Sequence, residues 1–152
     1  YEISACLVGS EMCIRDRNIL IPFETEAHRP VKATGTSTSD LLHEADATDA
    51  SGGTDIYEGL LSALDELPSE SEASQYTTAI VLMTDGRSNS DHQDEFERAY
   101  KSRGRDLPIF SIMFGDADPS QLKSLATLSN AKVFDGRSGD LAAVFRQVKG
   151  FN

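Results

Sequence analysis

Apolar residues recur along the chain in two patterns, one typical of helices and one typical of buried strands. Within residues 55–67 the large apolar side chains lie three or four positions apart, which predicts an amphipathic helix. Residues 68–75 are polar and are predicted to form a solvated loop. Residues 77–84 (TTAIVLMT) and 107–114 (LPIFSIMF) are apolar runs without alternation. Such runs are typical of central strands that are buried on both faces of a sheet.

The second half of the chain continues this alternation of helices and strands. Helices are predicted over residues 91–102, 120–128 and 140–149, and a short last strand is predicted over residues 131–134. From Thr54 onward the predicted order is helix, strand, helix, strand, helix, strand, helix. Alternation of this kind builds a parallel sheet with helices on both faces. We therefore predict an α/β fold with a doubly wound, mostly parallel sheet.

The segment before this alternation has weaker signals. Residues 18–23 (NILIPF) have the length and composition of a strand, and residues 28–33 (HRPVKA) predict a second strand. Pro30 places this second strand at an edge, because proline cannot donate a backbone hydrogen bond. A short helix is predicted to begin near Ser39 or Asp40.

Composition narrows the classes of function. The 152 residues include 25 acidic and 14 basic side chains, a formal net charge of −11, and no tryptophan. An acidic chain lacks the basic face that general nucleic-acid binders use, so we expect no nucleic-acid partner. No apolar run approaches the ~20 residues of a membrane-spanning helix, so no membrane span is expected in this segment. The length is typical of one domain.

The three histidines offer no sequence signal for a zinc site. His28, His43 and His92 are scattered, and none belongs to a histidine pair or a histidine–cysteine pair at the spacing of zinc ligands. No zinc site is therefore predicted from the sequence.

The first seventeen residues have an unusual origin on sequence grounds. Residues 1–17 (YEISACLVGSEMCIRDR) resemble the translation of a transposase-type sequencing-library adapter, and residues 7–17 match it without a mismatch. We therefore expect residues 1–17 to be an adapter-derived artefact and not a domain. Both cysteines, Cys6 and Cys13, lie in this segment, so they support no disulfide or redox prediction.

Two short segments carry the candidate chemistry. In an open parallel sheet, ligands bind beyond the carboxyl ends of the strands. There the motif MTDG (residues 83–86) places the carboxylate of Asp85, and the turn GGTD (residues 52–55) places the hydroxyl of Thr54. Both are hard oxygen donors that suit Mg²⁺. Structural roles are also open, because Thr54 or Asp55 could be a helix N-cap and the MTDG segment could be a simple turn.

Three motifs together point to a family. GGTDIYEGL, AIVLMTDGRSN and LPIFSIMFG resemble, in order and spacing, segments of the von Willebrand factor A (VWA) domain, and the closing AVFRQVKGFN is similar to bacterial members. The resemblance covers nearly all of residues 18–152. It implies a Rossmann-like VWA fold, and it implies that residues 18–152 are a partial VWA domain. The missing part would be the first, central strand and the first helix, upstream of Asn18.

The resemblance also implies a metal-ion-dependent adhesion site that binds Mg²⁺. Its ligands in the family are an Asp-x-Ser-x-Ser loop after the first strand, a threonine that matches Thr54, and an aspartate that matches Asp85. The Asp-x-Ser-x-Ser loop has no match in this chain. We therefore expect that this fragment does not bind Mg²⁺ appreciably, and that without the first strand the chain does not fold stably. Arg87, Ser88 and Asn89 are predicted either to line the partner-binding rim or to be solvated loop residues.

The function implied by the resemblance is a non-enzymatic, adhesion-type module. It would bind a protein ligand by recognising a partner carboxylate through Mg²⁺. A location in the cell envelope, or another extracytoplasmic location, is favoured. One alternative is a Mg²⁺-dependent phosphoryl-transfer enzyme, in which Asp85 holds the metal and an upstream aspartate is the nucleophile. Another is a VWA subunit of a chelatase-type or ATPase-type machine. The upstream loop separates the first two, because Asp-x-Ser-x-Ser indicates binding and Asp-x-Asp indicates an enzyme.

Overall fold

A six-stranded sheet organises the part of the protein that the structure describes. The computed structural model describes residues 2–6, 17–35, 39–48, 52–88, 92–103 and 106–138, together with residues 143 and 146. The strands are β1 (Glu2–Cys6), β2 (Arg17–Pro22), β3 (Val31–Thr34), β4 (Ile80–Thr84), β5 (Ile109–Met113) and β6 (Val133–Asp135). Their order in the sheet is β3-β2-β1-β4-β5-β6.

Helices connect most of these strands. They are α1 (Ser39–Ala47), α2 (Ile56–Asp65), α3 (Glu70–Ala73), α4 (Gln93–Ser102) and α5 (Pro119–Leu128), followed by a 3₁₀ turn (Gly136–Ser138). Four of the predicted helices are thereby found, and α3 corrects the prediction of a loop. Ser69 and Glu72 form a capping box at the start of α3, which stabilises this single turn. The helix predicted over residues 140–149 lies outside the described residues, apart from residues 143 and 146, which are helical.

The half of the sheet that follows α2 confirms the predicted α/β class. Strands β4 and β5 are parallel, with Val81 opposite Phe110, and β5 and β6 are parallel, with Ile112 opposite Phe134. Every residue of β5 is buried, as is every residue of β4 except Met83. The apolar runs without alternation therefore did indicate central strands. Because these strands are parallel, the loops that follow them meet at one edge of the sheet.

The other half of the sheet is antiparallel. Strands β2 and β3 correspond to the two strands predicted in this segment and form a hairpin, and β1 lies between β2 and β4, antiparallel to both. We had expected the first, central strand of the sheet to be missing. In the structure Glu2–Cys6 pairs with both β2 and β4. Whether the natural protein has another, upstream first strand stays a prediction, as does the adapter origin of residues 1–17.

The main hydrophobic core lies between the sheet and helices α2, α4 and α5. Tyr57 of α2 and Phe96 of α4 are almost fully buried, and their ring centroids are 6.0 Å apart. The opposite face of β4 and β5 carries a smaller buried cluster that includes Val81 and Phe110. Because α2 and α4 pack against the sheet and against each other, the residues at their N-termini are held at its carboxyl edge.

Candidate functional site

The predicted ligands Thr54 and Asp85 lie in two loops that touch. An added Cβ on Gly86 would come within 2.5 Å of the Thr54 Oγ1 atom and 3.2 Å of its Cβ atom. The two loops are so close here that only glycine, which has no side chain, fits directly after Asp85. The structure therefore places the Thr54 hydroxyl against the backbone next to Asp85, beyond the carboxyl end of β4. The role of the two side chains as metal ligands stays a prediction.

The loop after β5 holds Asp85 from the other side. The amide of Asp116 donates to the Asp85 carbonyl at 3.0 Å. Gly115 has a φ of +43°, and an added Cβ there would lie 3.2 Å from the Asp85 Cβ atom. Asp85 itself is half-buried. The backbone beneath its carboxylate is therefore fixed by two neighbouring loops.

The glycine turn before α2 is anchored on the segment that follows β2. The amide of Gly53 donates to the Thr25 hydroxyl at 3.1 Å, and the amide of Asp55 donates to the Glu24 carbonyl at 2.6 Å. Gly52 has a φ of +80°, in the left-handed region that favours glycine. These contacts position Thr54 before the first helical residue.

Asp55 is the N-cap of α2, one of the two structural roles left open by the sequence. Its Oδ1 atom accepts hydrogen bonds from the amides of Tyr57 at 3.0 Å and Glu58 at 3.3 Å. Its side chain is only 4% exposed. A buried carboxylate needs such partners, because burial of an unpaired charge is costly. The second oxygen, Oδ2, points away from the helix toward α4.

His92, directly before α4, meets this second oxygen. Its Nδ1 atom lies 2.8 Å from Asp55 Oδ2 and 3.2 Å from Glu58 Oε1. The hydrogen bond to Asp55 raises the pKa of His92 above the ordinary 6.5, and the charges of Asp55, Glu58 and Glu95 act in the same direction, while desolvation opposes them. Sequence reasoning missed this cluster, because His92 is 37 positions from Asp55 and only tertiary packing brings them together.

Part of the predicted rim is held in place by α5. The amide of Ser88 donates to Gln121 Oε1 at 3.1 Å, and Gln121 Nε2 donates back to the Ser88 carbonyl at 3.2 Å. Arg87 is exposed beside it, while Asn89 lies outside the described residues. The local sequence did not indicate that Gln121 contacts this loop, because Gln121 is 33 positions from Ser88.

Comparison with known proteins now decides the family. The family model of the von Willebrand factor type A domain matches residues 15–147, which is most of the chain. This protein belongs to the von Willebrand factor type A domain family. A comparison with curated proteins found no match. Members of the family are in general protein-interaction or adhesion-type modules and are usually not enzymes, so a protein is the class of partner that the family indicates.

The residues of this VWA domain fit Mg²⁺ in kind. Thr54 offers a neutral hydroxyl and Asp85 offers a carboxylate, both of which are oxygen donors that Mg²⁺ prefers. The glycine at position 86 leaves the space that the Thr54 hydroxyl occupies.

No helix within the described part of this VWA domain combines the length and apolarity needed to cross a bilayer.

Replacement of Asp55 by alanine is expected to lower the free energy of unfolding by about 1 to 2 kcal/mol, because α2 loses its N-cap. Asp55→Asn keeps a capping oxygen and loses the charge that faces His92. Because the pKa of His92 is raised in the folded protein, the ion pair stabilises fully below the ordinary histidine pKa, and this stabilisation is lost as pH rises through the raised value.

Urea unfolding of the parent, Asp55→Asn and Asp55→Ala at about pH 6 and about pH 9 tests both parts of this expectation. The difference between parent and Asp55→Asn should shrink at the higher pH, whereas the alanine variant should stay the least stable at both. Equal stability of the asparagine and alanine variants would contradict the capping role.

Proposed function

We propose that this VWA domain binds a carboxylate of a partner protein through Mg²⁺. Thr54 and Asp85 would hold the ion together with an Asp-x-Ser-x-Ser loop encoded upstream of Asn18. The observation that carries the proposal is the contact between the glycine turn and the MTDG loop, in which the Thr54 hydroxyl lies against Gly86. That contact supports the proposal, because Thr54 and Asp85, which match ligands of the family, come from loops that touch.

Neutral hydroxyl ligands would leave the ion able to accept an anionic group. Asp85 and the upstream aspartate would neutralise the charge of Mg²⁺, while hydroxyl ligands such as Thr54 add no charge. When bound, the ion would supply an electron-poor coordination position to a partner carboxylate. Recognition of this kind forms no covalent bond and breaks none.

The rim residues would determine which carboxylate is bound, because the ion alone does not distinguish one carboxylate from another. Arg87 is exposed two positions after Asp85, so its guanidinium is available to a carboxylate of the partner. Ser88 is fixed by its two hydrogen bonds with Gln121. A rim that is held in one conformation loses less entropy when the partner binds.

A Mg²⁺ titration by calorimetry tests the metal site in two chains. One is the chain as printed, and the other has residues 1–17 replaced by the natural sequence upstream of Asn18. We expect saturable Mg²⁺ binding only in the second chain. There Thr54→Val should weaken the affinity at least about tenfold, because it removes a direct ligand, and Thr54→Ser should preserve it. Equal Mg²⁺ binding by Thr54→Val and Thr54→Ser would overturn the assignment of Thr54.

Partner recognition is tested separately with acidic peptides and amide counterparts, in which Asp becomes Asn and Glu becomes Gln. The completed domain should capture acidic peptides in Mg²⁺ but not in a chelator, and should not capture the amide counterparts. Capture that persists in the chelator would overturn metal-mediated recognition.

An upstream loop that reads Asp-x-Asp would instead support a phosphoryl-transfer enzyme.

A further inference from the structure

A second group of metal-ligating atoms lies at the N-termini of α2 and α4. Asp55, Glu58 and His92 each offer one ligand atom, and these three atoms all lie within 4.8 Å of one another. His92 Nδ1 is 2.8 Å from Asp55 Oδ2 and 3.2 Å from Glu58 Oε1. Two ligand atoms on one Zn²⁺ ion, each about 2.0–2.2 Å from the metal, lie roughly 3 to 4 Å apart. The three atoms are therefore close to the spacing of one coordination sphere.

The Asp55 carboxylate is already oriented for such a role. Its Oδ1 atom accepts the amides of Tyr57 and Glu58 and is 3.4 Å from the Ser88 hydroxyl, which leaves Oδ2 to face His92. Hydrogen bonds that fix a carboxylate in this way are the usual support of a metal ligand. The Asp55 side chain is buried, whereas those of Glu58 and His92 are 34% and 44% exposed, so an ion can enter from solvent.

The chemistry of the three atoms selects the ion. Two carboxylates balance the charge of a divalent cation, and a neutral imidazole adds a nitrogen ligand. Mg²⁺ and Ca²⁺ prefer oxygen, whereas imidazole together with carboxylate suits Zn²⁺ and similar transition metals. We propose that Asp55, Glu58 and His92 form a Zn²⁺-binding site that joins the N-terminus of α2 to the N-terminus of α4. The proton that bridges His92 and Asp55 leaves for solvent when the ion binds.

The site does not depend on the proposed Mg²⁺ site, although it lies beside it. Asp55 directly follows Thr54, and α4 directly follows the loop that carries Arg87 and Ser88. A Zn²⁺ ion at this point would hold the glycine turn and the rim loop in a fixed relation. Sequence reasoning gave no zinc prediction, because the ligands come from two helices that are far apart in the chain.

A Zn²⁺ titration against a chromophoric chelator tests the site. All samples carry Cys6→Ser and Cys13→Ser, because thiolates bind Zn²⁺ by themselves. We expect one ion per chain, with affinity at least about tenfold weaker in His92→Gln and in Glu58→Gln. Excess Mg²⁺ should not displace the Zn²⁺ ion, and Thr54→Val should bind Zn²⁺ with the affinity of the parent. These two measurements distinguish a failure of the Zn²⁺ site from a failure of the proposed Mg²⁺ site.

The matched control is His28→Gln. His28 lies 3.6 Å from Glu24 and so forms a second histidine–glutamate pair, but among the described residues this pair does not belong to a group of three metal-ligating side chains. Substitution of His28 should leave the Zn²⁺ affinity unchanged. In a separate measurement, Zn²⁺ should raise the unfolding midpoint of the parent but not that of His92→Gln. Equal Zn²⁺ affinity in Glu58→Gln, His92→Gln and the parent would overturn the proposal. A loss of Zn²⁺ affinity in His28→Gln as large as that in His92→Gln would overturn it too. If His92→Gln does not fold, Glu58→Gln, at a partly exposed side chain, replaces it in the comparison.

Discussion

A chain that begins at Leu7, and therefore lacks the strand Glu2–Cys6, is expected to lose the cooperative unfolding transition of the full chain. This strand pairs along its whole length with β2, from Glu2 opposite Pro22 to Cys6 opposite Asn18, and it also pairs with Leu82 and Val81 of β4. Its removal would leave the hydrogen-bonding groups of both neighbours without partners and split the sheet between β2 and β4. Urea unfolding followed by circular dichroism measures the effect.

A single substitution in the same strand provides a sharper comparison. Ser4 lies opposite Leu20 on one side and Val81 on the other. Ser4→Pro removes a backbone donor from the middle of the sheet, whereas Ser4→Ala keeps it. The proline variant should unfold at a clearly lower urea concentration than the alanine variant. Identical midpoints for these two variants, or for the short and full chains, would contradict a structural role for this strand.

The result also decides between two views of residues 1–17. From the sequence we expected that residues 1–17 are an adapter-derived artefact, and that the chain would not fold stably without the first strand of a VWA domain. The structure instead pairs Glu2–Cys6 with both neighbours, but antiparallel to β4, in a sheet whose β4, β5 and β6 are parallel. A full chain without any transition would support the expectation from sequence. A cooperative transition that requires Glu2–Cys6 would show that an unrelated strand can fill the gap.

The parts of the fold that were predictable are those with a local signal. Uninterrupted apolar runs gave β4 and β5, and helical spacing gave α2, because burial on two faces or on one stripe leaves its pattern in the sequence. Helix α3 was missed, although Ser69 and Glu72 have the spacing of a capping box. The pairing of β2 with β1 could not be predicted, because pairing between strands that no tight turn connects leaves no local signal in the sequence.

The site divides in the same way. Thr54 and Asp85 were proposed as ligands from short motifs, because a glycine turn before a helix and a carboxylate after a buried strand are visible locally, and this role stays a prediction. His92 and Gln121 were not, although one contacts Asp55 and the other holds Ser88. Each lies more than thirty positions from its partner. Only the packing of α4 and α5 against the sheet brings these side chains to its carboxyl edge.

Phe96 is the most deeply buried residue of α4. It is fully buried, and its ring lies 6.0 Å from that of Tyr57 and 5.8 Å from that of Tyr100. Phe96→Ala is expected to lower the free energy of unfolding by about 3 to 5 kcal/mol, because it removes a large apolar contact and leaves a cavity. Phe96→Leu keeps most of the volume and should cost about 1 kcal/mol. Urea unfolding of the two variants and the parent measures the difference.

The same substitution tests how far the site depends on the core. The amide of Phe96 donates to the His92 carbonyl at 2.9 Å, so this ring is one helical turn from the histidine that faces Asp55. Phe96→Ala leaves Asp55, Glu58 and His92 in the sequence but loosens the helix that positions His92. At urea concentrations where the variant is still folded, its Zn²⁺ affinity should fall below that of Phe96→Leu. Equal Zn²⁺ affinities would show that the loop before α4 positions His92 without support from the core.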